Sequence, residues 1–317
     1  MTKYLITRVL SGLLTLFLIV TIVFFLMRIV GGSPAYTLLD PDEITPENVA
    51  QLEAELGLDK PMVVQYVEYL WNCLHGDFGF SYTNRKDVFV NMIDCWEPTI
   101  FIALLAVVFM TVIGIPLGVI GAVHRNSALD YTITTTTLFM QTIPGFWMGI
   151  LMMYFLCFKL KLFPLSGYEY IADVGFVEAM SYLMVPAMSI SISAIGSIAR
   201  QTRNSFLGVL KEDYIRTAKA KGLSKFKILY KHGLKNAISL ITAMITNNIA
   251  GLLGGSIIVE QIFRINGIGK LCLISLNSRD YSQQQACILA CAAIFVVANI
   301  LQDIIYKLID PRINYND

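Results

Sequence analysis

Gly267-Ile268-Gly269-Lys270-Leu271 is the nearest this sequence comes to a phosphate-binding loop, and it lacks two working parts. A cradle of the form G-x-x-x-x-G-K-[ST] needs a first glycine for close backbone approach and a hydroxyl for Mg²⁺. Arg264 and Leu271 occupy those places here. The three histidines, His75, His124 and His232, stand on segments between apolar runs, and neither H-E-x-x-H nor a nucleophile elbow is present. None of the six cysteines has metal-ligand spacing. Cys157, Cys287 and Cys291 lie in or near apolar runs as packing residues, while Cys73 and Cys95 share one segment and could pair in an oxidising compartment. The sequence offers no catalytic set and no metal site, so any ATPase that drives work here must be another chain.

Its concentrated chemistry is electrostatic. From Arg200 to Lys235 stand ten Lys and Arg against Glu212 and Asp213, in a chain whose net charge is +1. Tyr214 to Lys221 is rich in Ala, Arg and Lys, which favour helix. Gly222 can take the left-handed turn that closes a helix, and Ser224 can cap a second one over Lys225 to His232. The spacing predicts a helix–Gly–helix elbow polar enough to stand in water. On spacing alone two readings stand: a basic loop that only fixes topology, or a handle for a partner protein.

The elements that would hold this elbow are apolar. With 56% hydrophobic residues, 15% charged and a mean hydropathy of +0.62, the composition is that of a membrane protein. Six windows free of Asp, Glu, Lys and Arg are long enough to cross the hydrocarbon layer: Val9–Met27, Thr99–Val123, Tyr131–Phe158, Ala179–Ala199, Asn236–Val259 and Tyr281–Gln302. Six crossings put both termini on one side. That side, with the 124–130 turn and the 200–235 loop, carries fifteen of the 24 basic residues and is expected to be cytoplasmic. Segment 31–98 then faces outward, with twelve acidic residues against Lys60, Arg85 and Lys86. No A-x-A-like cleavage site follows the first window, which reads as a retained helix.

Polar and small residues at membrane depth mark the remaining points of interest. Segment 31–98 reads as a folded helical cap, since Pro46-Glu47-Asn48 can open a helix and apolar stripes follow. Gly114-Ile115-Pro116-Leu117-Gly118 in the second window permits close helix approach, with a kink expected at Pro116. Gln141-Thr142-Ile143-Pro144-Gly145 in the third sets polar groups beside a helix breaker; Gln141 and Thr142 are either pathway residues or interhelical hydrogen-bonders. The fourth window, with Ser189, Ser191, Ser193, Ala194, Gly196 and Ser197, suits tight packing. The fifth, with Asn247, Asn248 and Gly251, is the best candidate to line a path. Asp303, at the end of the sixth, suits a structural pairing.

Tyr214-Ile215-Arg216-Thr217-Ala218-Lys219-Ala220-Lys221-Gly222-Leu223, with Leu234, Lys235, Asn236 and Ala237 beyond, resembles the EAA loop of ATP-binding-cassette (ABC) importer permeases, in the variant of the peptide and nickel family. Arg216-Thr217-Ala218 takes the place of the EAA triplet, Gly222 that of the fixed glycine and Leu234 that of the later leucine, while Lys235 replaces the general family's proline. Leu56-Gly57-Leu58-Asp59-Lys60-Pro61 and Gly76-Asp77-Phe78-Gly79-Phe80-Ser81-Tyr82 are similar to the external region of the B-type subunit. Val259-Glu260-Gln261-Ile262-Phe263 to Gly269 is similar to VE-x-x-F-x-x-PGIG with Asn266 for proline, and Asn299, Asp303, Tyr306 and Asp310-Pro311-Arg312 match the terminal pattern. Gly32-Ser33-Pro34 departs from the family's Pro-Gly-Asp-Pro.

The resemblance implies an all-α membrane protein with six transmembrane helices of the type I importer permease kind. Its parts would be the N-terminus and first helix (1–30), an external helical cap (31–98), and a five-helix permease core (99–317) with a cytoplasmic coupling loop at 200–237. It further implies a non-catalytic subunit in a bacterial cytoplasmic membrane that moves di- or oligopeptides inward by alternating access; nickel or a metal chelate is the second cargo. Tyr214 to Leu223 would engage an ATPase. The implied partners are a homologous permease, two ATPase subunits that hold ATP and Mg, and an external solute-binding protein. Ala218→Asp or Gly222→Pro should then uncouple or disassemble the complex. The competing class is a self-sufficient transporter or channel, for which an internal repeat or mid-span carboxylates would be expected; the sequence contains neither.

Overall fold

The computed structural model describes residues 2–224, 227–229, 233, 245, 248, 252 and 256–309, with the backbone alone for 2–5, 219 and 302–309. Among the described residues every regular element is helical, apart from an isolated antiparallel bridge between Phe80 and Asp87. The helices are α1 (Thr2–Val30), α2 (Ala35–Leu38), α3 (Pro46–Glu55), α4 (Met62–Leu74), α5 (Val88–Val123), α6 (Ala128–Thr142), α7 (Gly145–Met152) with a π-helical extension (Met153–Lys159), α8 (Ile171–Val174), α9 (Phe176–Val209), α10 (Asp213–Ala220), α11 (Ile268–Asn277) and α12 (Tyr281–Ile309).

Four of them are long and apolar enough to cross a membrane: α1 over Ile6–Val30, α5, α9, and α12 over Tyr281–Leu301. A fifth crossing is made if α6 and α7 with its extension count as one broken span. The all-helical form follows from the solvent, because a lipid-embedded backbone can satisfy its own N–H and C=O groups only within a helix or a closed barrel. The fifth apolar window, Asn236–Val259, falls mostly outside the described residues.

The third window is not one straight helix. It breaks between Thr142 and Gly145 and turns by 100°. Pro144 lacks a backbone N–H and crowds the residue before it, and Ile143 accordingly takes extended backbone at φ −80°, ψ 125°. α5 by contrast continues as helix through Pro98 and Pro116.

The chain forms two compact units, to which α5 and α12 each contribute. One comprises residues 1–99 and 266–296. Its core is Val88, Met92, Ile268, Ala286, Cys287 and Ala290. Segment 31–98 contains α2, α3, α4 and the start of α5, and α3 opens with Thr45 capping the Asn48 N–H at 3.2 Å and Pro46 as its first residue. The buried carboxylate of Asp280 gathers this unit: it accepts from Ser81 Oγ at 2.5 Å, from Thr83 Oγ1 at 3.1 Å, and from the Gln283 N–H at 3.2 Å where α12 begins. Tyr281 donates its hydroxyl to the Gly32 carbonyl. Cys73 and Cys95 carry thiols with no disulfide between them, and burial raises the Cys73 thiol above its ordinary range.

The other unit comprises residues 100–265 and the chain from 297. Its hub is α9, whose most apolar window is 72% buried, against 11% for α1. Small residues explain how α9 accepts neighbours so closely. A Cβ on Gly118 of α5 would lie 2.4 Å from the Ala199 carbonyl oxygen and 2.6 Å from Thr202 Cβ, and one on Gly196 would lie 2.4 Å from the Thr137 carbonyl oxygen of α6. The small-xxx-small spacing of Gly114 and Gly118 is therefore the seat of α9.

Candidate functional site

The basic elbow is built from α10. Ile215 is fully buried and Ala218 is 5% exposed; with Ile228 they make a small core of their own, flanked by Val209 and Leu223. The helix ends as the glycine predicts. Gly222 adopts φ +73°, the Lys221 N–H reaches the Thr217 carbonyl at 3.0 Å, and the Leu223 N–H turns back to Ala218 at 3.3 Å. Ser224 then accepts from the Lys227 N–H at 3.4 Å, and its carbonyl accepts from the Ile228 N–H at 3.0 Å. Residues 225, 226, 230–232 and 234–237, on which most of the expected second helix and the later motif positions fall, lie outside the described residues.

The opposite face of α10 is exposed. Tyr214, Arg216, Thr217, Ala220, Lys221 and Gly222 are exposed, Leu223 is half-buried, and Lys219 is described in its backbone alone. Arg216 lies 3.7 Å from Asp213, with both side chains almost wholly in solvent, so this pair adds little stability. The elbow is thus a short helix stapled to its own return strand of chain by Ile215 and Ala218, presenting a cationic face. That corrects the use of Ala218→Asp as a probe of partner contact, because the substitution would put a carboxylate inside the elbow's own core.

α10 follows α9 after three residues, Leu210 to Glu212, and α9 is anchored at that end by a charge pair. Arg203 Nε and Nη2 donate to Asp130 Oδ1 and Oδ2 at 2.6 and 2.7 Å. The Asp130 side chain is 3% exposed and that of Arg203 21%. Asp130 also accepts from the Asn126 N–H at 2.9 Å, while its own N–H is capped by Ser127 Oγ at 3.2 Å. Gly121 of α5 lies against the same pair, its would-be Cβ 3.4 Å from both Arg203 Cδ and Asp130 Oδ1. Three helices therefore meet at one bidentate ion pair, which sequence reading missed. The available signal was Ser127-x-x-Asp130, an N-terminal capping pattern just ahead of an apolar run.

The pathway candidates separate. Asn248 lines a cavity of about 280 Å³ together with Gly145, Phe146, Ile190, Ser193, Ala194, Leu252 and Ile258. Gly145 and Phe146 come from the break after Pro144; Ile190, Ser193 and Ala194 come from α9. Gln141 and Thr142 do not line this cavity. They bond back to their own helix, Gln141 Nε2 to the Thr137 carbonyl at 3.1 Å and Thr142 Oγ1 to the Phe139 carbonyl at 2.8 Å. Asn247 and Gly251 lie outside the described residues. Glu260, expected at the end of the fifth span, is fully buried. α9 is continuous from the cavity wall at Ser193 to Val209 beside the elbow, a rod of about 24 Å.

Two family models match. Residues 114–315 match the binding-protein-dependent transport system inner membrane component, and residues 1–103 match the N-terminal part of the corresponding membrane component. The dipeptide transport system permease protein DppB of Escherichia coli (strain K12) is 33% identical over 319 residues, covering 94% of each chain. The oligopeptide transport system permease protein AppB of Bacillus subtilis is 35% identical over 317 residues, covering 99% of this chain and all of that one. In fold, a chain of the inward-facing MetNI methionine ABC transporter superposes with a TM-score of 0.58 at 18% identity, over 69% of this chain and 95% of that one.

Proposed function

The chain belongs to the binding-protein-dependent transport system inner membrane component family, and from that premise we propose that it is a permease subunit of an ABC importer that moves di- and oligopeptides inward across the bacterial cytoplasmic membrane. The observation that carries the cargo class is the near-full-length identity to dipeptide and oligopeptide permeases of two distant bacteria. Nickel or a metal chelate remains the second cargo; the two relatives named above carry peptide titles.

In this reading the chain makes six crossings with both termini cytoplasmic, and segment 31–98 is the external cap. It works with a homologous second permease, two ATPase subunits that carry ATP and Mg, and an external solute-binding protein. Tyr214 to Leu223 is the coupling element, gripped through its exposed face. Asn248, and with it Asn247 and Gly251, lines the path.

The mechanism follows from α9. ATP-driven closure of the ATPase pair displaces α10; because α9 is an uninterrupted helix, locked near its end by Asp130 and Arg203, displacement reaches the cavity wall as rigid motion rather than dissipating in a loop. A tight grip alone shifts nothing: the ATPases must hold the elbow differently in their two states. The test is uptake of labelled di- to pentapeptides and of nickel by proteoliposomes containing the co-purified complex and its binding protein, with and without internal ATP. Peptide uptake that requires ATP is expected. Nickel uptake would replace the cargo, and ATP-independent uptake by this chain alone would overturn the reading.

A further inference from the structure

Helix α4 has three distinct faces. At 100° per residue, Met62, Tyr66, Tyr69 and Cys73 share one, Gln65, Glu68 and Asn72 a second, and Val63, Val67, Trp71 and Leu74 a third. The first packs on α1: Tyr66 Oη lies 2.7 Å from Thr21 Oγ1, the Tyr66 ring is 5.2 Å from both Phe24 and Phe25, and the Tyr69 ring stacks on Phe24 at 5.6 Å. The second is polar and occupied. Gln65 accepts from Arg28 Nε at 2.8 Å, and Glu68 pairs with Lys60 at 2.8 Å. The third is apolar and largely bare, with Val63 67%, Val67 59%, Trp71 64% and Leu74 82% exposed and the Trp71 ring 4.6 Å from that of His75.

The level of α4 follows from α1. The charge-free stretch Val9–Met27 is about 28 Å long as a helix, close to the hydrocarbon thickness, so Met27 marks its edge and Arg28 the first polar position beyond it. Phe24 and Phe25 lie about 3–5 Å inside that edge and Thr21 about 9 Å inside. Tyr66 and Tyr69 touch these residues, so α4 sits at the boundary itself. The exposed side of α1 at the same level, Ile22, Leu26 and Ile29, is the lipid face of a crossing helix.

We propose that α4 is an interfacial membrane helix, with Val63, Val67, Trp71 and Leu74 inserted among lipid acyl chains beside α1. The occupant is lipid because α4 is held, through Tyr66 and Tyr69 on Thr21, Phe24 and Phe25, at the depth where acyl chains begin, and because Gln65, Glu68 and Asn72 occupy the far side from the bare face, as an amphipathic helix in the interface requires. Tyr66, Tyr69 and Trp71 are aromatic residues at the level where membrane proteins concentrate them. The assignment rests on α1 crossing the membrane and is independent of cargo and of ATP.

The test uses the full chain with Trp96→Phe and Trp147→Phe, leaving Trp71 as the sole tryptophan, in vesicles of brominated phosphatidylcholine. Trp71 emission should be blue-shifted and quenched, more by bromines near the ester end of the acyl chain than near the methyl end. Emission quenched by aqueous iodide and untouched by brominated lipid would overturn the proposal. Should the double variant fail to fold, a benzophenone amino acid at position 67 of the otherwise native chain should crosslink to lipid on illumination. Either experiment is repeated in the assembled complex: persistence of the lipid signal is expected, and its replacement by a protein crosslink or loss of quenching on assembly would assign the face to a partner instead.

Discussion

Adding one methyl group at Gly118 should loosen the α5–α9 contact, and adding the same group at Gly208 should not. The Cβ created by Gly118→Ala would lie 2.4 Å from the Ala199 oxygen, 2.6 Å from Thr202 Cβ and 2.9 Å from the Arg203 nitrogen, two of them backbone atoms that no rotamer change can move. Restoring ordinary separations of about 3.5 Å pushes α9 back by about 1 Å, and a gap of that size forfeits a quarter to a half of each dispersion contact along the seam. Overpacking of this kind costs roughly 1–3 kcal/mol, while replacing glycine by alanine within a helix returns up to about 1 kcal/mol. The net expectation is destabilisation of about 1–2 kcal/mol. At Gly208, in the last turn of α9, a Cβ meets nothing within 4 Å, so only the propensity gain of up to about 1 kcal/mol remains. The two substitutions should move stability in opposite directions. Thermal unfolding of both variants in one detergent, followed by circular dichroism, reads the sign. A Gly118→Ala protein that unfolds at or above the wild-type temperature would refute the packing argument.

Three further outcomes follow from the same unit. Asp130→Asn leaves Arg203 without its counter-charge, and loss of one partner of a buried pair costs on the order of 3–5 kcal/mol; the double variant with Arg203→Met should recover part of that loss in the same unfolding assay. Thr202 Oγ1 is buried and makes no hydrogen bond among the described residues, so Thr202→Val, which keeps the shape and deletes the hydroxyl, should be neutral or stabilising by about 1 kcal/mol; a loss of stability would mean that the hydroxyl has a partner. Arg216→Glu reverses a charge that is 84% exposed and should leave the unfolding temperature within the range of surface substitutions, about 0.5 kcal/mol, while lowering ATP-driven uptake by the complex. Ala218→Asp, inside the elbow core, should instead lower both, and equal behaviour of the two variants would remove the distinction between gripped face and internal staple.

Much of this was legible in the sequence, for reasons that differ from element to element. The apolar windows at α1, α5, α9 and α12 could be read because a lipid-embedded helix must carry its apolar character all round. Gly222 and Pro144 could be read because each makes a backbone demand that few other residues share. What could not be read is who meets whom. Gly114 and Gly118 announce a close neighbour, yet nothing in their spacing names Ala199 and Thr202. Asp130 and Arg203 are 73 positions apart, each at the edge of a different apolar run, where a charge is also the ordinary sign of a helix leaving the membrane. In α10 the inward pair Ile215 and Ala218 was hidden by the basic residues around it, although their i, i+3 spacing already put them on one side of the helix.

The pathway candidates carry the same lesson in its sharpest form. Gln141, Thr142 and Asn248 looked alike as polar side chains at membrane depth. Two of them reach a carbonyl of their own helix, an arrangement always open to glutamine and threonine three or four residues along a helix, and so need no cavity to be satisfied. Asn248 borders one. Residue type states that a polar group must find a partner; only the fold decides which polar side chains also border a cavity. On that ground the wall of the cavity is better sought just after the break than among the polar residues that precede it, because the break at Ile143 and Pro144 is followed by Gly145 and Phe146, which line the cavity with Asn248.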